Sequence, residues 1–146
     1  MAAWLVLKEG DQDSEESNGV YKVQRLLRHH GSDVPPDHIF GPLTAAAVQE
    51  FQDANGLNAD AVVGSETWPR LIVQVQQGDS GEAVFAVQSQ WRFISHDGIF
   101  GPTTDALVRD FQHTSGLDVD GIVGPQTWQR MGKGPIIDPP EHLRDV

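Results

Sequence analysis

The chain has 146 residues, no cysteine, 38% hydrophobic and 21% charged residues, which is a globular composition and not a disordered one. Lys plus Arg number 10 against 21 Asp plus Glu, a net charge of −11, and counting all six His as charged still leaves −5. Disulfides, thiolate catalysis and Cys-ligated metals are excluded, and the acidic balance argues against nucleic acid or an anionic membrane as the main partner, because both call for a basic surface.

In chain order, the first stretch, Met1-Ala-Ala-Trp-Leu-Val-Leu7, is apolar. It has no basic residue ahead of it and is followed by Lys8, Glu9 and Gly10, so it does not read as a secretory signal. No apolar run approaches the roughly 18–20 residues that a bilayer demands. Val20, Val23, Leu26 and Leu27 then recur at helical spacing. A second helix opens at Pro42, where a missing N–H costs nothing, and places Leu43, Ala47, Val48 and Phe51 on one face before a stop at Gly56. A short third helix starts at Ser65 and buries Trp68. The same series follows again. Val84, Val87 and Trp91 form a face that begins from Ser80 as N-cap. Pro102 opens a helix with Leu107, Val108 and Phe111, Gly116 stops it, and a helix from Pro125 buries Trp128. After Met131 the run Gly-Lys-Gly-Pro-Ile-Ile-Asp-Pro-Pro predicts an extended tail lying along a lobe.

The series is an internal repeat. Ile39-Phe-Gly-Pro42 recurs as Ile99-Phe-Gly-Pro102, Phe51-Gln52 as Phe111-Gln112, Gly56-Leu57 as Gly116-Leu117, and Thr67-Trp68 as Thr127-Trp128, all at an offset of 60. Upstream the offset widens to 64 (Val23-Gln24 with Val87-Gln88) and then to 68 (Gly10-Asp11 with Gly78-Asp79). The first copy therefore carries two four-residue insertions, around 13–18 and 32–36. The reading is all-α: two small three-helix lobes in tandem, at 5–72 and 73–132, with an extended tail at 133–146.

Two related loops join the helices of each lobe. Lobe two has Asp97-Gly-Ile-Phe-Gly-Pro102 and Asp120-Gly-Ile-Val-Gly-Pro125. Glycine after the aspartate permits a positive φ, and the aspartate can hydrogen-bond its own turn. The apolar residue before the second glycine is expected to drop into the core. Lobe one departs at His38, where lobe two has Gly98, and at Ala61, where it has Gly121. Those positions must either tolerate a side chain or carry a changed loop.

The ordered set Gly78-Asp79, Val87-Gln88, Asp97-Gly98-Ile99-Phe100-Gly101, Thr104, Val108, Phe111-Gln112, Gly116-Leu117, Asp120-Gly121-Ile122-Val123-Gly124 and Thr127-Trp128 resembles the peptidoglycan-binding-like domain family. Lobe one carries most of the same set and departs at His38 and Ala61. The resemblance implies a three-helix domain of the kind appended to cell-wall hydrolases, holding an enzyme on murein, with no catalysis and no cofactor of its own. It also implies an extracellular or wall-associated place of work, although no export signal is visible in this stretch.

No catalytic set accompanies the repeat. His29, His30, His38, His96, His113 and His142 show no zinc-hydrolase spacing. An EF-hand loop counted from Asp118 or Asp120 puts Gln129 or Met131 where its closing Glu belongs. Glu50 and Asp110, at equivalent helix positions, read as solvated faces and not as a glycosidase pair. For binding, the candidates are the loop residues Asp97, Gly98, Asp120 and Gly121, with Gln52 and Gln112 as amide partners and Thr44 and Thr104 near helix N-termini. The expected function is a non-catalytic tandem module recognising the peptide stem or glycan of peptidoglycan. The alternative is a protein–protein adaptor that tethers a separate cell-wall hydrolase or a secretion machine.

Overall fold

Three of the helices open where the chain offers a glycine that can run extended followed by a proline preset for the first turn. The computed structural model describes residues 3–144. It contains α1 (Gly19–His29), α2 (Pro42–Ala54), α3 (Trp68–Leu71), α4 (Glu82–Gln88), α5 (Pro102–Thr114) and α6 (Pro125–Lys133), followed by a 3-10 turn at Glu141–Leu143. Gly41, Gly101 and Gly124 cap α2, α5 and α6 with nearly identical extended angles, each followed by Pro at the first turn. Gly56 and Gly116 take φ of +70° and +73°, and the following Leu57 and Leu117 N–H groups donate back to the carbonyls of Gln52 and Gln112. That is the left-handed stop expected of glycine at a helix end.

Among the described residues pairing between extended segments is confined to isolated bridges, and four of the six obey the repeat. Leu7 pairs antiparallel with Val63 as Val75 does with Val123, and Gln12 pairs with Ile39 as Ser80 does with Ile99. Trp68 and Trp128 are buried, and their indole N–H groups donate to the carbonyls of Leu5 (2.6 Å) and Val73 (2.8 Å). Each tryptophan thus ties its own lobe's entering segment to its third helix. Phe40, Phe100, Val63 and Val123 are all buried, as expected of the apolar loop residues. The preceding isoleucines stay outside: Ile39 is 52% and Ile99 58% exposed.

Two expectations are corrected. Ser80 does not cap α4; it is drawn into the bridge with Ile99, and Gly81 at φ +117° takes the cap position. The third helix of lobe one does not start at Ser65. Residues 65–67 form a turn and helix begins at Trp68, because Pro69 has no N–H with which to close a bond to the Ser65 carbonyl.

The lobes join through α1 and α4, which run antiparallel. At one end Arg25 and Arg28 both reach Glu82 (2.7 and 3.0 Å), and the Arg25 guanidinium lies 4.3 Å from the Phe85 ring centre. At the other end the Asn18 side-chain amide donates to the Ser89 carbonyl at 2.7 Å. Burial opposes ionisation of Glu82, but the hydrogen bonds from Arg25 and Arg28 outweigh it and hold the carboxyl below its usual range. Lys22 is only 2% exposed, and burial lowers its pKa to about 8, partly offset by Asp13. Asp13 comes from the first inserted loop of lobe one and accepts the Val20 and Tyr21 N–H groups, supplying the cap that Asn18 does not.

The tail also crosses between lobes. Ile136 N–H donates to the Glu16 carbonyl, Ile137 N–H to that of Gln90, and Arg92 N–H to that of Ile137. The Arg92 guanidinium reaches Asp138 and the carbonyls of Ile136 and Glu15. The extended tail predicted for 133–146 is therefore seen along lobe two from Gly134 to Pro140, while α6 continues through Lys133.

Candidate functional site

Four glutamines, not two, organise the loops. In lobe one Gln24 Nε2 donates to Asp37 Oδ1 (2.9 Å), the Ile39 carbonyl (3.0 Å) and Thr44 Oγ1 (3.0 Å), while its Oε1 accepts the His38 N–H (3.0 Å). Gln52 repeats this with Asp60, Val62, Thr67 and Ala61 N–H. Gln88 repeats it with Asp97, Ile99, Thr104 and Gly98 N–H. Gln112 repeats it with Asp120, Ile122 and Thr127, and its Oε1 takes both the Asp120 and Gly121 N–H groups. Two amide hydrogens are shared among three acceptors in every case, so the glutamine is fully used. Each lobe is thus itself made of two related glutamine-latched loops. The Val-Gln and Phe-Gln pairs carried the signal for Gln24 and Gln88, but only as a repeat; nothing in the spacing said that the amide turns inward.

This geometry corrects four candidate ligand contacts. Gln52, Gln112, Thr44 and Thr104 are 1%, 1%, 2% and 5% exposed, and their polar groups are bonded to their own loops. Reaching a ligand would require opening a latch, which would strand buried polar groups at about 1–3 kcal/mol each. Gly98 and Gly121 are buried as well, at φ +74° and +73°. Of the eight candidates only Asp97 and Asp120 face solvent. The Ile99 N–H and the Gln88 amide lower the pKa of Asp97, and the Ile39 N–H with Gln24 does the same to Asp37.

Shallow depressions sit against three of the latched loops. One of about 340 Å³ lies beside Asp97, Ile99 and Pro102, one of about 430 Å³ beside Asp120 and Pro125, and one of about 280 Å³ beside Asp60 and Ser65. A fourth, of about 270 Å³, lies elsewhere, between the end of α1 and the second half of α2. Among the described residues no group of three or more His, Asp or Glu is placed to hold a metal ion. No helix among them is long and apolar enough to cross a membrane.

Against known proteins, the family model described as a putative peptidoglycan binding domain matches twice, at residues 16–71 and 80–131. A zinc D-Ala-D-Ala carboxypeptidase of Streptomyces albus G is 33% identical over 99 residues, 63% of this chain and 38% of the relative. A spore cortex-lytic enzyme of Bacillus cereus is 38% identical over 69 residues, 44% of this chain and 27% of the relative. A probable N-acetylmuramoyl-L-alanine amidase of Bacillus licheniformis is 29% identical over 144 residues, 89% of this chain and 38% of the relative. Among solved structures, a peptidoglycan-binding protein from Clostridioides difficile in complex with glutamine hydroxamate is similar at 36% identity and a TM-score of 0.42, over 46% of this chain and 40% of that one. The chain spans well under half the length of each of these curated relatives. With the family model matched over both lobes, on the loops that the glutamines hold, the chain belongs to the putative peptidoglycan-binding domain family, in two tandem copies.

Proposed function

We propose that these residues form a non-catalytic module that holds bacterial cell-wall peptidoglycan and works at the wall. The observation that carries the reading is that the family match covers both lobes, at 16–71 and 80–131, and that the polar side chains of their loops are spent on holding the fold. The curated relatives named above are wall-cutting enzymes by their names and are longer than the matched region. That supports a division of labour in which the matched region binds and a separate segment or partner cuts. Each lobe alone should bind between millimolar and micromolar, and two linked sites on a polymer gain about 10² to 10⁴ by avidity.

The test is incubation of the purified chain with protein-free sacculi. The chain should pellet with the wall and release neither soluble reducing ends nor new amino groups. Release of either product in proportion to the protein added would overturn the non-catalytic reading. A folded chain that stays in the supernatant would favour the adaptor reading instead.

A further inference from the structure

The depression lies between α1 and α2, and at the repeat positions among the described residues of lobe two larger side chains fill the space. In lobe one its walls are Leu27, His30, Ala47, Glu50, Phe51 and Asn55. At the repeat positions of Leu27 and Ala47 lobe two carries Trp91 and Leu107, which are 1% and 0% exposed. Trp91 packs edge-on against Phe111 at 6.3 Å, and the tail pairs beside it through Ile137 while the 3-10 turn settles on α5. As a result Phe111 is buried, while Phe51, the same residue of the repeat, is only partly buried and lines the depression. The lobes share one architecture, and among the described residues this aromatic ring is covered more fully in lobe two than in lobe one.

We propose that this groove of lobe one is a binding site for a neutral N-acetylated sugar ring, which on the function proposed above belongs to the glycan strand. The Phe51 ring gives an apolar face for the sugar's C–H side, and Leu27 and Ala47 give a floor for a methyl group. Glu50 is exposed and has no ion-pair partner among the described residues, so its carboxylate is available to accept hydroxyl or amide hydrogens. Asn55 uses its side-chain N–H on the Phe51 carbonyl and leaves its oxygen as a further acceptor. The His30 Nε2 is held at 2.8 Å from the Leu71 carbonyl, which sets its ring against Phe51 at 5.0 Å. The lining holds no lysine or arginine. A peptide ending in a carboxylate would bring an anion to a free glutamate in a chain of net charge −11, whereas a neutral sugar meets no such repulsion. The size agrees, since about 270 Å³ falls just below the roughly 300–1,000 Å³ of pockets for larger ligands and suits one ring.

The test is a titration of the labelled full chain with the N-acetylglucosamine tetramer, followed by NMR, alongside Ala47→Leu. That substitution puts into lobe one the residue lobe two already carries there, on a helix that tolerates it. Amide shifts should map to the end of α1 and the second half of α2, and Ala47→Leu should weaken binding at least tenfold with the helical circular dichroism kept. Phe51→Ala should lose binding too, and Glu50→Gln, which cannot unfold a groove edge, should weaken it several-fold. Shifts elsewhere, or affinity unchanged in Ala47→Leu, would overturn the proposal. So would a carboxylate-ending tripeptide that perturbs the groove where the sugar does not. If sacculi bind the wild-type chain while the tetramer leaves the groove untouched, the site is wrong and the wall-binding function stands; if sacculi do not bind, that function fails separately.

Discussion

The first loops of the two lobes hold the same backbone with different residues. Gly98 sits at φ +74° and His38 at φ +70°. A Cβ on Gly98 would stand 2.4 Å from the Phe85 ring. In lobe one the repeat position of Phe85 is Tyr21, which stacks on the His38 ring at 4.6 Å, while His38 Nδ1 meets Asp13 at 3.0 Å. The second loops show the same trade. A Cβ on Gly121 would meet the Asp105–Arg109 ion pair at 2.6–2.8 Å, and lobe one, with Ala61 at φ +62°, has Ala45 and Gln49 in place of that pair. The loop shape is therefore set by its latch and not by glycine alone. A side chain is accepted at a left-handed position when the neighbour that would collide has been replaced.

The largest effect is expected at the latches. Gln24→Ala, Gln52→Ala, Gln88→Ala and Gln112→Ala should each cost about 3–5 kcal/mol of unfolding free energy by urea titration, since each strands several buried groups. Equal costs in both lobes would support a shared latch, and a cost confined to one lobe would refute it. Trp128→Ala and Trp68→Ala should each cost roughly 3–5 kcal/mol. Gly98→Ala should cost about 1–3 kcal/mol through overpacking against Phe85, and a second substitution that shrinks Phe85 should recover part of it.

At the lobe interface Lys22→Met should stabilise by about 1–3 kcal/mol, because it removes a charge that burial disfavours. In the parent chain burial holds the folded pKa at about 8, below the 10.5 of an unburied lysine. Between these values the unfolded state binds the extra proton, so stability should rise with pH across that window, and the rise should vanish in Lys22→Met. A flat profile in the parent would contradict the burial of this amine. The smallest effect is Ala61→Gly, which should gain up to about 1 kcal/mol in thermal unfolding by relieving a left-handed alanine.

Much of this was legible in the sequence because it is local. Gly-Pro starts, the Gly56 and Gly116 stops and the buried loop residues depend on neighbours within a few positions, and the tandem repeat shows by comparing the chain with itself. The inward turn of Gln52, Gln112, Thr44 and Thr104 was not legible, since an amide beside a buried aromatic is suited equally to a ligand or to a loop. Ser80 misled because a bridge to Ile99 competes for the same backbone that a cap would use. The open groove escaped notice because it depends on a difference between lobes, Leu27 against Trp91 and Ala47 against Leu107, which shows only when both are packed.

The most direct test of the wall-binding function is co-sedimentation of the purified chain with protein-free peptidoglycan sacculi across a salt series. For a chain of net charge −11 facing an anionic polymer, charge attraction cannot supply the binding. Pelleting should hold or strengthen as salt rises. A chain that remains in the supernatant at every salt concentration, with its helical circular dichroism intact, would contradict it.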